Sequence, residues 1–296
     1  TIRKNRLLPA HPTGKEKRIA IVTGTHGDEL EGQFVCYELV RRLKAEPDAL
    51  KGIVDVYPAL NPLGIDSITR GIPMFDLDMN RIFPGSEEGS MMETVVSRLT
   101  KDLTGADLCI DIHASNIFLM ELPQVRINEI SAERLMPFAK QMNADFVWVH
   151  ASETVLESTL AYSLNQAGTP ALAVEMGVGM RITKAYGYQL VEGILNVMKT
   201  LGIWEGKVTK VKKPIVSEDR EVSYLNADQA GIYVPCVKIG DHVEAGALFG
   251  EILNPLTGDV EQSVTAPISG LVFTRREYPV VYSGSLLGRI LGGRAS

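Results

Sequence analysis

Short apolar runs alternate with longer amphipathic runs up to about residue 205, and this alternation restricts the fold more than any other feature of the chain. The runs RIAIVTGT, GIVDVYPALNP, ADLCIDIHAS, DFVWVH and PALAVEMG are typical of strands, and several are apolar on both faces. Helix-like segments lie between them, namely ELEGQFVCYELVRRLKAEP, SMMETVVSRLTKDL, SAERLMPFAKQMNA and ESTLAYSLNQAG. Strands that alternate with helices predict an α/β fold with a mostly parallel sheet covered on both faces.

The first helix-like segment has an apolar stripe and a clear end. Its apolar positions Leu30, Phe34, Tyr37 and Val40 recur at helical spacing, and the segment stops near Pro47. This spacing is typical of a helix. Asp28, just before the segment, is predicted to be the helix N-cap.

The last third of the chain has a different texture. Residues 205–222 carry clustered charge without an apolar period and are interpreted as a linker or as the lead-in to a second domain. Beyond them, glycine-punctuated β-type runs repeat, because the segment from Gly231 to Ile252 is echoed by the segment from Gly270 to Ile290. The echo predicts a small C-terminal β-sandwich built from two interlocking halves.

This module resembles the biotinyl/lipoyl carrier domain, with GDHVEAGALF and VTAPISGLV as its marks. Such carriers present a modified lysine between the halves, and NPLTGDVEQSVTAPISG contains none. We therefore predict a catalytic α/β domain over residues 1–210 and a structural or lid-like β module over residues 211–296. Tyr278 and Tyr282 would reach the active site if the module folds over it. The alternative is that these two tyrosines occupy core or surface positions of the module.

Composition excludes several classes of protein. The 296 residues carry a formal net charge of −6 with scattered basic residues, so no nucleic-acid-binding or membrane surface is expected. No window approaches the roughly 20 apolar residues that a membrane span needs. Cys36, Cys109 and Cys236 lie far apart, which suits a reducing cytoplasm and excludes a metal site of the CxxC type.

Polar residues that end two of the predicted strands indicate a metal site. His26 follows IAIVTGT, Glu29 lies three positions later, and His113 ends LCIDIH. The carboxyl ends of neighbouring strands are where ligands collect in open α/β sheets, and a His–Glu–His set suits catalytic zinc. Asp111, two residues before His113, lies on the same face of its strand and is a candidate partner for that histidine. A strand-end histidine is also commonly just a hydrogen-bonded polar residue, so this pattern alone leaves both interpretations open.

Two further motifs add groups that suit hydrolysis. In DLDMNRIFPG, Asn80 and Arg81 stand side by side, and the planar guanidinium suits a bidentate grip on a carboxylate. In PALAVEMGVG, Glu175 ends an apolar strand, where a buried carboxylate needs a partner or a chemical role. Taken singly, a solvated surface arginine and a strand-end glutamate in a salt bridge are the alternatives.

Together, THGDELEG, DLDMNRIFPG, DIHAS and PALAVEMGVG, in this order, resemble the succinylglutamate desuccinylase/aspartoacylase family, whose members are zinc-dependent amidohydrolases on the zinc-carboxypeptidase fold. The resemblance covers roughly residues 16 to 200. It implies a mixed, mostly parallel sheet, one zinc ion per chain, and a small N-acyl amino acid as substrate.

Residue by residue, the resemblance assigns zinc to His26, Glu29 and His113, and the catalytic carboxylate to Glu175. It places Asn80 and Arg81 at the substrate carboxylate. It places Arg70, in DSITRGIP, at the scissile carbonyl. The spacing of ten residues from Arg70 to Asn80 looks longer than in aspartoacylases proper. The MNRIFPG form and the C-terminal module look more like the deacetylases that act on N-acetyl-diaminobutyrate.

The expected activity is therefore hydrolysis of a linear amide bond, with Glu175 as general base and then general acid. Two alternatives remain, a zinc carboxypeptidase that acts on peptides and a non-catalytic protein that binds a metal or a ligand. A serine hydrolase is disfavoured because the sequence contains no G-x-S-x-G motif. The sequence leaves the acyl group, the amine and any homo-oligomer undetermined.

Overall fold

The computed structural model of the protein describes residues 1–151 and 157–292. This part contains six α-helices, which are α1 (Glu31–Ala45), α2 (Pro62–Ser67), α3 (Met91–Leu103), α4 (Glu129–Ala139), α5 (Leu160–Gln166) and α6 (Lys184–Thr200). Its strands are β1 (Asn5–Leu7), β2 (Arg18–Thr23), β3 (Ile53–Tyr57), β4 (Leu108–Ala114), β5 (Leu119–Asn128), β6 (Phe146–His150), β7 (Ala171–Gly177), β8 (Ile215–Glu218), β9 (Val222–Asn226), β10 (Gly231–Pro235), β11 (His242–Val243), β12 (Leu248–Leu253), β13 (Val260–Thr265), β14 (Gly270–Arg276), β15 (Val280–Val281) and β16 (Leu286–Gly292).

A sheet of 12 strands organises the molecule, with the order β1-β3-β2-β4-β7-β5-β14-β16-β9. Strand β11 pairs with β14, and β6 and β8 continue the sheet from β5. Strands β3, β2, β4 and β7 are mutually parallel, while β5 runs antiparallel to β7. The prediction of an α/β fold with a large sheet flanked by helices is confirmed. Strands β6 and β8 add further parallel pairs, whereas β9, β11, β14 and β16 join through antiparallel pairs.

Helices cover both faces of the parallel strands because successive strand residues point to opposite sides. In β2, Ile19 and Ile21 pack under α1, α4 and α6, whereas Ala20 and Val22 pack under α3 and α5. All four of these side chains are fully buried, which explains why this strand is apolar throughout. Within the described ranges, no helix is both long and apolar enough to span a bilayer.

The buried face of α1 differs from the apolar stripe noted in its sequence. Val35, Leu39 and Leu43 are buried against the sheet, whereas Tyr37 is 62% exposed. Phe34 packs edge-to-face on Tyr188 of α6, with ring centroids 5.3 Å apart, and Val40 is partly buried against the same core. Asp28 is not the N-cap, because that position belongs to Leu30 and no side chain caps the helix.

Strand β5 is a ten-residue strand that the sequence interpretation missed. Its segment contains Pro123, which argues against a central strand because proline cannot donate to a ladder. The structure accommodates Pro123 with a register shift between Glu121 and Gln124 opposite β7. Strand β5 therefore joins the parallel strands to β14 and carries side chains into the candidate site.

The two C-terminal repeats exchange short strands. In the first repeat β11 pairs with β14 of the second, and in the second repeat β15 pairs with β10 of the first. Gly246 and Gly284 occupy equivalent turns with φ angles of +84° and +85°, a conformation that glycine adopts without steric cost. Strands β13-β12-β10-β15 form a second sheet, which shares one apolar core with β9, β14 and β16. Strand β8, from the charged segment at residues 205–222, pairs with β6.

Candidate metal centre and active-site pocket

The pocket that contains the predicted site residues lies where β4, β7 and the segment after β2 meet. His26 follows β2, His113 lies in β4, and β2 and β4 are parallel neighbours. Gly27 allows the loop after β2 to pass close to α2, because a Cβ there would lie 2.0 Å from the carbonyl carbon of Gly64. The amide of Gly27 also donates to the carbonyl of Arg70 at 3.2 Å. The glycine of THGDE therefore holds two parts of the pocket together.

His26, Glu29 and His113 meet in this pocket, and all three are buried. Glu29 is the centre, since Oε1 lies 2.7 Å from Nδ1 of His26 and Oε2 lies 3.0 Å from Nδ1 of His113. One ligand atom from each residue falls within 4.8 Å of the other two. The three side chains can hold one metal ion between them, as the sequence motifs suggested.

The outer nitrogen of each histidine faces a second carboxylate. Asp78 Oδ1 lies 3.0 Å from His26 Nε2, and Asp111 Oδ2 lies 3.0 Å from His113 Nε2. Histidines that bind metals commonly donate their other N–H to a carboxylate, which fixes the ring and its tautomer. The donor set therefore fits zinc, because both imidazoles already present Nδ1 toward Glu29.

The charges around the two histidines favour a cation. Burial alone would raise the pKa of Glu29, but hydrogen bonds from His113 and His26 hold it at about 2. Burial would lower the pKa of His113, but Asp111 and Glu29 raise it well above its usual value. Three carboxylates around two imidazoles thus stabilise positive charge, whether it is carried by protons or by a metal ion.

Arg70, Asn80 and Arg81 form the outer rim of the same pocket. Arg70 places Nη1 3.1 Å from Glu29 Oε1 and Nη2 3.3 Å from Asp78 Oδ2. Arg81 is partly exposed, and its Nη1 donates to the carbonyl of Asn80 at 2.9 Å. Asn80 is buried, and its Oδ1 accepts from the amide of Leu160 at 2.9 Å.

Glu175 lines the pocket from β7, directly opposite His113 of β4 in the strand register. Its carboxylate is largely buried, with 18% of the side chain exposed, and Arg126 Nη1 lies 3.5 Å from its Oε1. Burial raises the pKa of Glu175 to about 7, while the charges of Arg126 and His113 act in the opposite direction. A carboxylate with a pKa near neutrality suits proton transfer at physiological pH.

The pocket also contains groups that the sequence interpretation did not find. Glu121 and Arg126 come from β5 and Arg289 comes from β16, and all three line the pocket of about 540 Å³. Two causes explain the omission, because β5 was not predicted and Arg289 lies 168 residues after Glu121 in the chain. Asp78 was present in the quoted DLDMNR motif, where its position two residues before Asn80 was the available signal.

The two candidate tyrosines lie outside this pocket. Tyr282 is 69% exposed on the C-terminal segment. Tyr278 packs edge-to-face on Phe118, with ring centroids 5.6 Å apart, and Phe118 itself lines the pocket. Tyr278 therefore supports the rim through Phe118.

Comparison with known proteins shows what the chain is similar to. The succinylglutamate desuccinylase/aspartoacylase catalytic domain matches residues 15–201. The N-alpha-acetyl-L-2,4-diaminobutyric acid deacetylase of Halomonas elongata is 26% identical over 262 residues, which cover 86% of this chain and 74% of that protein.

Two solved structures share the fold. The product-bound ectoine utilization protein EutE (DoeB) from Ruegeria pomeroyi superposes with a TM-score of 0.80 at 21% identity, over 94% of this chain and 87% of that chain. A succinylglutamate desuccinylase/aspartoacylase from Rhodobacter sphaeroides superposes with a TM-score of 0.80 at 23% identity, over 100% of this chain and 89% of that chain.

Proposed function

The chain belongs to the succinylglutamate desuccinylase/aspartoacylase family of amide hydrolases, and on that premise we propose that it is a zinc-dependent deacylase that hydrolyses the amide bond of a small N-acyl amino acid. One observation carries the metal dependence: each histidine of the buried set has Nδ1 toward Glu29 and Nε2 on a second carboxylate. A non-catalytic protein would not need Glu175 in the same pocket with a pKa near neutrality.

In this proposal His26, Glu29 and His113 hold one zinc ion per chain. When bound, zinc lowers the pKa of a coordinated water and polarises a carbonyl group. Asp78 and Asp111 hold the two imidazoles in the tautomer that leaves Nδ1 free to bind.

Glu175 is the proton carrier of the reaction. Its carboxylate accepts a proton from the attacking water and returns it to the nitrogen of the departing amine. Its largely buried position supports this role, because a base in water would have a pKa too low to take that proton efficiently. The products are a carboxylate and a free amine.

Arg81 and Asn80 anchor the free carboxylate of the substrate, and Arg70 stabilises negative charge that develops on the scissile carbonyl oxygen. The 41% exposure of the Arg81 side chain and the place of Asn80 beside it in the lining of the pocket support the anchor. The contact of Arg70 with Glu29 supports its place beside the reacting carbonyl.

We further infer that the C-terminal strands form a β-sandwich of the biotinyl/lipoyl type without the carrier lysine. In this division, residues 1–210 are the catalytic domain, and residues 211–296 are a structural or lid-like module beside its active site. The shared apolar core of the two sheets supports the sandwich. A small-molecule substrate and a cytoplasmic location complete the proposal.

The test measures metal content and amine release together. Purified protein should contain about one zinc per chain and release amine from one member of a panel of N-acyl amino acids, including N-acetyl-diaminobutyrate, the substrate class of the Halomonas relative. A chelator should abolish the release and added zinc should restore it. Glu175→Gln should keep the zinc while kcat falls about 10²–10⁴-fold.

Two results would refute the proposal. Protein that binds no divalent metal after reconstitution lacks the proposed centre. Near-native kcat in Glu175→Gln would remove Glu175 from the role of base. Release of C-terminal residues from peptides, with no activity on N-acyl amino acids, would instead establish the carboxypeptidase alternative.

A further inference from the structure

Glu121 is the anchor of an ion cluster beside the proposed base. The side chain is 2% exposed, and each oxygen accepts two donors. Oε1 faces Arg289 Nη1 at 2.6 Å and Thr274 Oγ1 at 3.4 Å, and Oε2 faces Gln124 Nε2 at 2.8 Å and Arg126 Nη2 at 2.9 Å. A carboxylate has about four lone-pair sites, so Glu121 is saturated. Its two oxygens therefore hold the guanidinium groups of Arg126 and Arg289 in place.

Arg126 connects this anchor to Glu175. One terminal nitrogen, Nη2, is hydrogen-bonded to Glu121, while the other, Nη1, lies 3.5 Å from Glu175 Oε1. The guanidinium also lies over the ring of Trp148, 5.4 Å from its centroid, and such stacking restrains a planar cation. Within residues 1–151 and 157–292, no other arginine, lysine or histidine forms an ion pair with the Glu175 carboxylate.

Arg289 brings the C-terminal part of the chain into the cluster. It lies on β16, beyond the catalytic-domain match at residues 15–201. Its guanidinium sits between the rings of Trp148 and Tyr224, at 5.7 Å and 5.3 Å, and bonds Glu121. The pairing of β14 with β5, in which Thr274 is the register partner of Glu121, holds this segment in place.

From these contacts we propose that Arg126, anchored by Glu121 and Arg289, is a positioning residue that orients the Glu175 carboxylate toward the reacting water, so that β16 is a working part of the active site. The inference rests on the proposed function, because it acts through Glu175. A misplacement of about 1 Å at a reacting group can cost about 10²-fold in rate, and among the described residues Arg126 is the side chain that forms an ion pair with Glu175.

The experiment compares variants of the full-length, zinc-loaded protein on the best substrate of the N-acyl panel. Arg126→Met should lower kcat about 10²-fold and Arg289→Met about tenfold, with KM and zinc content within about twofold of wild type. Arg126→Lys should also lower kcat, because a single ammonium cannot bridge both carboxylates as the guanidinium does. This variant keeps the test valid if Arg126→Met fails to fold.

Arg275→Met is the matched control. Arg275 lies on β14 of the same C-terminal segment and forms an ion pair with Glu277, but it does not line the pocket. The kcat and KM of Arg275→Met should equal those of wild type. The melting temperature of this variant shows how much the loss of one ion pair in this segment lowers stability.

Two further measurements separate positioning from a structural role. In the Glu175→Gln background, Arg126→Met should change kcat less than about twofold, since residues that act through one another are not additive. Added guanidinium ion should restore part of the kcat of Arg126→Ala, whereas a misfolded variant would not respond.

Three results overturn the inference. Unchanged kcat in Arg126→Met, a full additional loss in the Glu175→Gln background, or a raised KM with unchanged kcat each shows that Arg126 does not orient Glu175. A wild-type protein without amide hydrolase activity would instead overturn the proposed function, and the inference with it.

Discussion

Asp111→Asn should weaken zinc binding while leaving the fold intact. Asp111 is 1% exposed, and its Oδ2 lies 3.0 Å from the outer nitrogen of His113. The asparagine amide has nearly the same shape and can still accept that N–H, but it carries no negative charge. Loss of such a partner typically costs 10–100-fold in metal affinity, or about 1.4–2.7 kcal/mol.

The structure also ranks the two outer carboxylates. The Asp78 side chain is 22% exposed and the Asp111 side chain is 2% exposed, while both lie 3.0 Å from their histidines. Water screens the charge of Asp78 more strongly than that of Asp111. We therefore expect the zinc affinity to fall about 100-fold in Asp111→Asn and about tenfold in Asp78→Asn.

The assay is competition for zinc between each variant and a chromophoric chelator, at fixed pH and salt. Asp219→Asn is the matched control, because Asp219 forms the same kind of pair with His150 at 3.0 Å, outside the His26–Glu29–His113 set. Equal zinc affinity in wild type and Asp111→Asn, with both folded, would refute the assignment of Asp111 as the partner that holds His113. A reversed order of the two variants would refute the argument from exposure.

Further predictions concern substrate binding, pH and the loop after β2. Arg81→Ala should raise KM about 10–100-fold for substrates with a free carboxylate, because a charged hydrogen bond of about 1.5–3 kcal/mol is lost. The KM for carboxamide analogues should not change. Equal effects on both kinds of substrate would refute Arg81 as the anchor. The ratio kcat/KM should fall as the pH drops below the pKa of Glu175, because only the ionised base accepts a proton. Burial raises that pKa to about 7, and bound zinc moves the acidic limb of the pH profile to lower pH. An acidic limb well above pH 7 would contradict the assignment. Gly27→Ala should lower stability by about 1–3 kcal/mol in thermal unfolding, because the new Cβ would meet the Gly64 backbone, and an unchanged melting temperature would show that the loop relaxes freely.

Local sequence patterns predicted much of the fold for a physical reason. Strands buried on both faces are mostly apolar, so β2, β4 and β7 were recognisable from their composition, with a few polar residues such as Asp111, His113 and Glu175 as exceptions. Strand β5 was missed because Pro123 argues against a central strand, and a register shift that only the pairing with β7 reveals accommodates it. The apolar spacing identified α1 as a helix, and its packing in the fold shows that Val35, Leu39 and Leu43 are its buried residues.

The sequence by itself determined which residues were candidates for the site. His26, His113 and Glu175 follow or end apolar runs, and Glu29 lies three positions after His26, so all four are visible without any coordinates. The structure brings these four into one pocket. Their roles rest on the proposed function and its tests.

Tertiary structure alone decided what surrounds them. Asp78 contacts a histidine 52 residues away, and Arg289 bonds a glutamate 168 residues away. The physical reason is that periodicity encodes the burial of each segment, whereas the order and register of strands depend on pairings between distant segments. Asp78 as the partner of His26 and Arg126 as the partner of Glu175 belong to this second kind of information, whereas Asp111 was already a candidate from its position two residues before His113.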